Sequence, residues 1–208
     1  MDQNIKIAVL GGGGRTGKYL VNHLLNKGYR LKLLLRNLPE VTETPDQFSR
    51  NLKNPLVEIM KGDAVNFSDI HTLLKDCQAV VSTIGQRPGE PMVASMATEN
   101  VIKAMDGFDI RRYILVAGVN VETPFDKKSE QTKVATQWMK TTFPAIHADR
   151  AKAYDLLVQS SIDWTLVRLP VIVYTDQHYP VAGDLEDCRG EKISTADIAV
   201  FCRRAVKG

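Results

Sequence analysis

Short apolar runs rich in leucine and β-branched residues alternate along this chain with longer stretches whose apolar positions recur every three or four residues. The first pattern belongs to strands covered on both faces, the second to helices laid against them, so the alternation predicts a parallel sheet. Strands are expected at about 4–10, 30–36, 56–60, 78–84, 112–117 and 163–168. A first helix should run from Gly14 to Lys27, with Tyr19, Leu20, Leu24 and Leu25 as its apolar stripe and Gly28 as its stop. Another opens at Asn66 to Asp69, capped by Asn66 or Ser68, with Ile70, Leu73 and Leu74 facing inward. Helical segments near 91–105, 130–141, 145–160 and 195–206 complete the series. The fold class is therefore α/β: a single Rossmann-type, doubly wound domain with a mainly parallel sheet and helices on both faces.

Three stretches break the periodicity. Residues 85–91 and 118–128 follow the fourth and fifth strands, at the sheet edge where open α/β proteins bind ligands. Residues 171–192, with Pro180, Gly183 and Gly190, fit neither a helix nor a strand and read as a small, partly irregular substrate-side lobe.

Composition narrows the class without naming a chemistry. The 208 residues suffice for one core and are short for two, and 44% apolar with 25% charged residues is a globular balance. A net charge of +3, with basic residues scattered among acids, argues against nucleic acid as a partner. The longest uncharged run, Cys77 to Gln86, is too short to span a bilayer, and the N-terminus lacks a secretory leader, so a cytoplasmic protein is expected. Three cysteines without C-x-x-C spacing suggest incidental or buried thiols and no metal site.

The chemistry begins where the first strand runs into Gly11-x-x-Gly14-x-x-Gly17. Glycines at this spacing allow a sharp strand-to-helix turn, let backbone approach a pyrophosphate, and pack the helix closely while its first amides face the anion. Gly11, Gly13, Gly14, Arg15, Thr16 and Gly17 are thus candidate dinucleotide contacts. The second strand ends in Arg36-Asn37, where NAD-selective sites usually carry an acid, so a 2′-phosphate and NADP(H) in preference to NAD(H) are expected, with Arg15 as a second cation. The competing reading makes both arginines ordinary surface charges. Asp63 is positioned to accept from the adenine amino group or to cap a turn, and Ala64 leaves room for the ring. Thr83, Ile84 and Gly85 end the fourth strand and Ala117 the fifth, as small or apolar edges of the cofactor groove.

Those residues, with GDAVN at 62–66, AVVSTIG at 79–85, SSIDWTLVRLP at 160–170 and EKISTADIAVF at 191–201, make the chain resemble the atypical short-chain dehydrogenase/reductases. Within them it is most similar to the NmrA-like and biliverdin-IXβ (flavin) reductase-like NAD(P)H-binding group. The resemblance implies a compact domain that binds NADPH at the strand C-termini and, in some members, transfers hydride to a flavin, quinone or similar conjugated small-molecule acceptor. Other members sense the nucleotide without catalysis.

None of the six tyrosines has lysine four positions on, and ILVAGVN puts Ala117 and Gly118 where such enzymes place a serine. The Tyr-x-x-x-Lys acid is therefore missing, and with it the usual carbonyl mechanism. A sugar-nucleotide epimerase or dehydratase is disfavoured for the same reason. Candidate groups near the nicotinamide are Asn120, His147, Arg150 and Tyr154, of which the last three share one helical face; Arg150 and Tyr154 lead, against ordinary roles as an ion-pair residue and a core aromatic. Val134, Trp138 and Met139 form an apolar wall over the acceptor or simply helix core, and Phe125 is a candidate stacking group.

Overall fold

In the computed structural model residues 5–38, 46–86, 92–179, 183–188 and 190–207 are described. The chain alternates β1 (Lys6–Leu10), α1 (Arg15–Asn26), β2 (Arg30–Leu35), α2 (Gln47–Asn51), β3 (Val57–Lys61), α3 (Phe67–Leu74) and β4 (Ala79–Ser82). It continues through α4 (Val93–Gly107), β5 (Arg112–Gly118), α5 (Glu130–Thr142), α6 (Pro144–Gln159) and β6 (Asp163–Leu169), then β7 (Val171–Val173), β8 (Lys192–Ser194) and α7 (Thr195–Val206).

Six strands form a parallel sheet in the order β3-β2-β1-β4-β5-β6. The order reverses between β1 and β4, which opens a crevice beyond their C-terminal ends. Successive side chains of a strand point to opposite faces. Ile7 and Val9 accordingly join Leu20, Leu24, Ile198 and Cys202 from α1 and α7, while Ala8 and Leu10 join Ile70, Leu73, Val101 and Leu157 from α3, α4 and α6. Lys32 breaks the apolar run of β2 yet is buried: its ammonium donates to the Thr72 carbonyl at 2.8 Å near the end of α3 and pairs with Glu58 at 3.2 Å.

Helix ends follow local chemistry. Gly28, at φ +81°, ends α1 as expected, and the Asn66 side chain caps α3 by accepting from the Ser68 amide at 2.9 Å. α4 begins at Met92 without a local side-chain cap; instead the buried Asp149 of α6 accepts from the Ala94 and Ser95 amides at 2.8 and 3.0 Å. Two differences from expectation stand out. The five-residue α2 has no counterpart in the periodicity, being held by its Asp46 cap and the buried Phe48. Residues 171–173, expected to belong to an irregular lobe, pair with 192–194 as the parallel strands β7 and β8, because Val171, Ile172 and Val173 supply a short apolar run opposite Ile193. No helix of the described residues is long and apolar enough to cross a membrane, and none of their His, Cys, Asp or Glu side chains cluster as a metal site. Cys77 and Cys202 are free thiols whose burial pushes their pKa up to about 11 and about 12.

Candidate functional site

The glycine turn between β1 and α1 is shaped by close backbone approach. Gly11 has φ +76°, and a Cβ there would lie 2.8 Å from the Ile84 nitrogen and the Thr83 carbonyl carbon. A Cβ on Gly17 would lie 2.1 Å from the Gly11 carbonyl oxygen. The Thr83 hydroxyl fastens the end of β4 to the same turn through the carbonyls of Leu10 and Gly11, at 3.3 and 3.2 Å. Gly14 is the N-cap of α1, with no side-chain cap bond and no acid in the first turn. The helix thus presents its first amides and positive dipole end to the crevice, a cradle that fits a dinucleotide pyrophosphate.

From this turn a cleft of about 710 Å³ extends across the ends of β4 and β5. It brings together eight of the residues singled out from sequence: Arg15, Thr16, Thr83, Ile84, Gly85, Ala117, Asn120 and Arg150. Gly11, Gly13, Gly14 and Gly17 form the turn at its head. Over that turn Arg15 stacks on the ring of Tyr174, 4.7 Å from its centroid, so it is more than a solvated charge. Sequence reasoning passed over Tyr174; its one signal is an aromatic directly after the β7 run. Of the loop at 85–91, only Gly85 and Gln86 lie within the described residues.

The other nucleotide candidates lie outside the cleft lining. Arg36 is partly buried in the bend after β2. Asp63 serves the turn: its carboxylate accepts from the Val65 amide at 3.2 Å and its own amide donates to Asp69 at 2.9 Å. Ala64 is buried beside Ile70, and its carbonyl accepts from Asn100 at 3.0 Å.

At the far end, α6 points its N-terminal turns over β5. The Asn120 amide donates to His147 Nδ1 at 3.3 Å, which leaves the ring proton on Nε2. Burial, with Lys140 nearby, lowers the His147 pKa. Gly118 has no Cβ, so the Asn120 oxygen and the Arg150 guanidinium both close on it: a Cβ there would sit 2.5 Å from Asn120 Oδ1 and 3.3 Å from Arg150 Nη1. Among the described residues the Arg150 guanidinium has no hydrogen-bond or ion-pair partner. Burial lowers its pKa, and only the field of Asp149 opposes the shift. Tyr154 does not join Arg150 on the cleft. One turn further along α6, about 6 Å from Arg150, it is partly buried and packs edge-on against Trp164 with ring centroids 6.0 Å apart. Trp138 and Met139 do line the cleft, whereas Val134 and Phe125 are exposed and outside it.

Residues 11–207 match a family described as NAD(P)H-binding. The photosystem II assembly factor Ycf39 of Trieres chinensis is 23% identical over 209 residues, 98% of this chain and 60% of its own length. The chloroplastic divinyl chlorophyllide a 8-vinyl-reductase of Arabidopsis thaliana is 23% identical over 223 residues, 96% of this chain and 49% of its own. The chain thus spans about half to three-fifths of these curated relatives. Among solved structures, a short-chain dehydrogenase/reductase from Veillonella parvula in complex with NADP superimposes with a TM-score of 0.78 at 15% identity, over 98% of this chain and 88% of that one. ChuY, an anaerobillin reductase from Escherichia coli O157:H7, does so with a TM-score of 0.70 at 19% identity, over 96% and 89%. These likenesses agree with the doubly wound fold.

Proposed function

Because the chain belongs to the NAD(P)H-binding family, we propose that it is an NADPH-dependent reductase acting on a flavin, quinone or similar conjugated acceptor at the Arg150 end of the cleft. The observation that carries this reading is the largely buried Arg150 guanidinium, which has no hydrogen-bond or ion-pair partner among the described residues. A buried charge without a partner is costly, and a cation held there stabilises negative charge as it develops on a reduced acceptor. When bound, NADPH supplies the hydride. The uncapped amides of α1 orient its pyrophosphate, Asn120 and Gly118 shape the acceptor side, and Arg150 stands in for the absent tyrosine acid while water delivers the proton. Preference for NADP(H) is part of the same proposal, with Arg36 at the ribose end of β2 and Arg15 in the turn as its selectors. The relatives that bear reductase names support this class of reaction.

Incubation with NADPH and a panel of flavins, quinones and tetrapyrroles tests the proposal by loss of NADPH absorbance. NADPH binding without oxidation above the protein-free background overturns it. That outcome favours a non-catalytic NADP(H) sensor, a second reading supported by Ala117 and Gly118 in place of serine and by Tyr154 lying off the cleft.

A further inference from the structure

Behind the cleft lies a second cavity of about 550 Å³, between the outer edge of β6 and the segment leading into β8. Val119, Thr132, Pro170 and Cys188 border both spaces, so one layer of side chains separates them and a ligand in the first abuts the second. Leu166, Val167, Ile193 and Phe201 give it an apolar lining. Two of the cations on its wall, Arg168 and Lys128, are already engaged. Arg168 is bonded to Asp126 and to the carbonyls of Val121 and Leu185, and Lys128 pairs with Asp126 at 3.3 Å and donates to Thr136 at 3.1 Å. Lys192, the remaining cation on its wall, is exposed.

The roof of this cavity is pinned. The Lys127 amide donates to the Glu186 carbonyl at 2.8 Å, the Lys127 ammonium pairs with Glu186 at 2.7 Å, and the Ser129 amide donates to Asp187 at 2.9 Å. The volume of this space, which opens to solvent at Leu185 and Lys192, is that of a small-molecule site. Asp187 Oδ1 is a buried wall oxygen with no hydrogen-bond partner among the described residues, but Leu166, Val167, Ile193 and Phe201 offer an apolar chain a continuous contact surface beside it.

We propose that the acceptor is a quinone bearing a prenyl-type side chain, and that the chain lies in this second cavity while the ring lies beside Arg150. The inference rests on the reductase reading. The ring takes a hydride from bound NADPH and one proton from solvent, giving the quinol and NADP⁺.

The test compares quinones of identical ring with zero, one and two prenyl units. KM should fall about tenfold per unit, which needs burial of only about two of its five carbons, with kcat nearly unchanged. Quenching of tryptophan fluorescence by the same quinones, with NADP⁺ present, should show the same trend in Kd; Trp138 lines the cleft and Trp164 stands on β6. Gly183→Leu should abolish the dependence on chain length and leave the unprenylated ring unaffected. A Cβ at Gly183 meets only Phe201, at an ordinary 3.8 Å, so the new side chain can fill the cavity without backbone strain. Phe201→Trp, which enlarges the side chain beside that position, checks the result in a second variant. Equal KM and Kd for all chain lengths, or a chain-length gain that survives both variants, overturns the inference while reduction of the bare ring leaves the reductase reading intact. Chain-dependent quenching without reduction of any quinone refutes the reductase reading and upholds the cavity as a prenyl site.

Discussion

Gly17→Ala strikes the turn where the fold and the cofactor cradle share atoms. The added Cβ would lie 2.1 Å from the Gly11 oxygen, 2.7 Å from Gly12 Cα and 2.8 Å from the Gly11 carbonyl carbon, all backbone and none able to swing aside. Relief to ordinary contact at about 3.5 Å requires α1 to withdraw by roughly 1.4 Å. That helix is anchored by Leu20, Val21, Leu24 and Leu25, so the movement strains the core it shares with α7. Overpacking of this kind costs about 1–3 kcal/mol, and each kcal/mol moves Tm by about 2–4 °C for a chain of this length. The apo variant should therefore melt about 2–12 °C below the parent. NADPH at one hundred times its Kd stabilises a binding-competent fold by about 2.7 kcal/mol, which corresponds to a rise of about 5–11 °C in the parent. In the variant the amides of Arg15, Thr16 and Gly17 no longer converge on the pyrophosphate, and the rise at the same NADPH concentration should largely vanish. Gly107→Ala is the control, since nothing lies within 4 Å of its added Cβ. Thermal melts with and without NADPH suffice. A Gly17→Ala protein that melts with the parent and keeps its full NADPH shift refutes the account of the turn.

Four further outcomes are expected. Arg150→Gln should lower kcat by about 10²–10³-fold, as removal of a preorganised donor to developing charge does, with NADPH affinity unchanged in a titration; an unaltered kcat removes Arg150 from the reaction. Arg36→Asp should weaken NADPH by about 1.5–3 kcal/mol and spare NADH, and equal losses for both nucleotides would exclude a contact to the 2′-phosphate. Asp149→Ala strips the first turn of α4 of its acceptor and should cost about 1.5–3 kcal/mol in denaturant unfolding; a midpoint equal to the parent's would show that water replaces the carboxylate. At Asp187 burial raises the pKa, but hydrogen bonds from the Ser129 amide and from the Thr132 and Ser129 hydroxyls outweigh it and hold the group at about 2, below its ordinary 3.8. A depressed carboxyl pKa contributes stability that is present above the ordinary value and lost as pH falls through the folded one. Melting temperature should thus fall more steeply from pH 4 to pH 2 in the parent than in Asp187→Asn, and parallel curves would refute that assignment.

The sheet was legible because its central strands β1 and β4 are buried on both faces, so their short runs stand out as apolar. The glycine turn was legible because its close contacts tolerate no Cβ. What escaped is local or distant. α2 has too few residues to show a period, and β7 and β8 have three each within a stretch rich in turn residues. The stacking of Arg15 on Tyr174 joins opposite ends of the chain and leaves no mark in either neighbourhood. A shared helical face carries no depth: of His147, Arg150 and Tyr154 only Arg150 lines the cleft, while His147 meets Asn120 and Tyr154, one turn further on, meets Trp164.

Arg150 and Asp149 are neighbours with opposite duties. Asp149 points back into the protein and binds the first amides of α4, fixing both the rotation and the rise of α6. The next side chain must then leave the helix toward the cleft, where Gly118 and Asn120 admit it. Folding thereby carries the cost of withdrawing the guanidinium from water before any acceptor arrives, and the Asp149 field keeps it charged against that burial. An acceptor that gains negative charge meets a cation already oriented and already partly withdrawn from solvent, so less reorganisation remains for the reactive step. The same anchoring predicts that Asp149→Asn, which keeps an oxygen acceptor for one amide but loses the charge, should lower kcat more than it lowers the affinity for NADPH. A variant whose kcat and NADPH affinity both equal the parent's would break the proposed link between the α4 cap and the cleft.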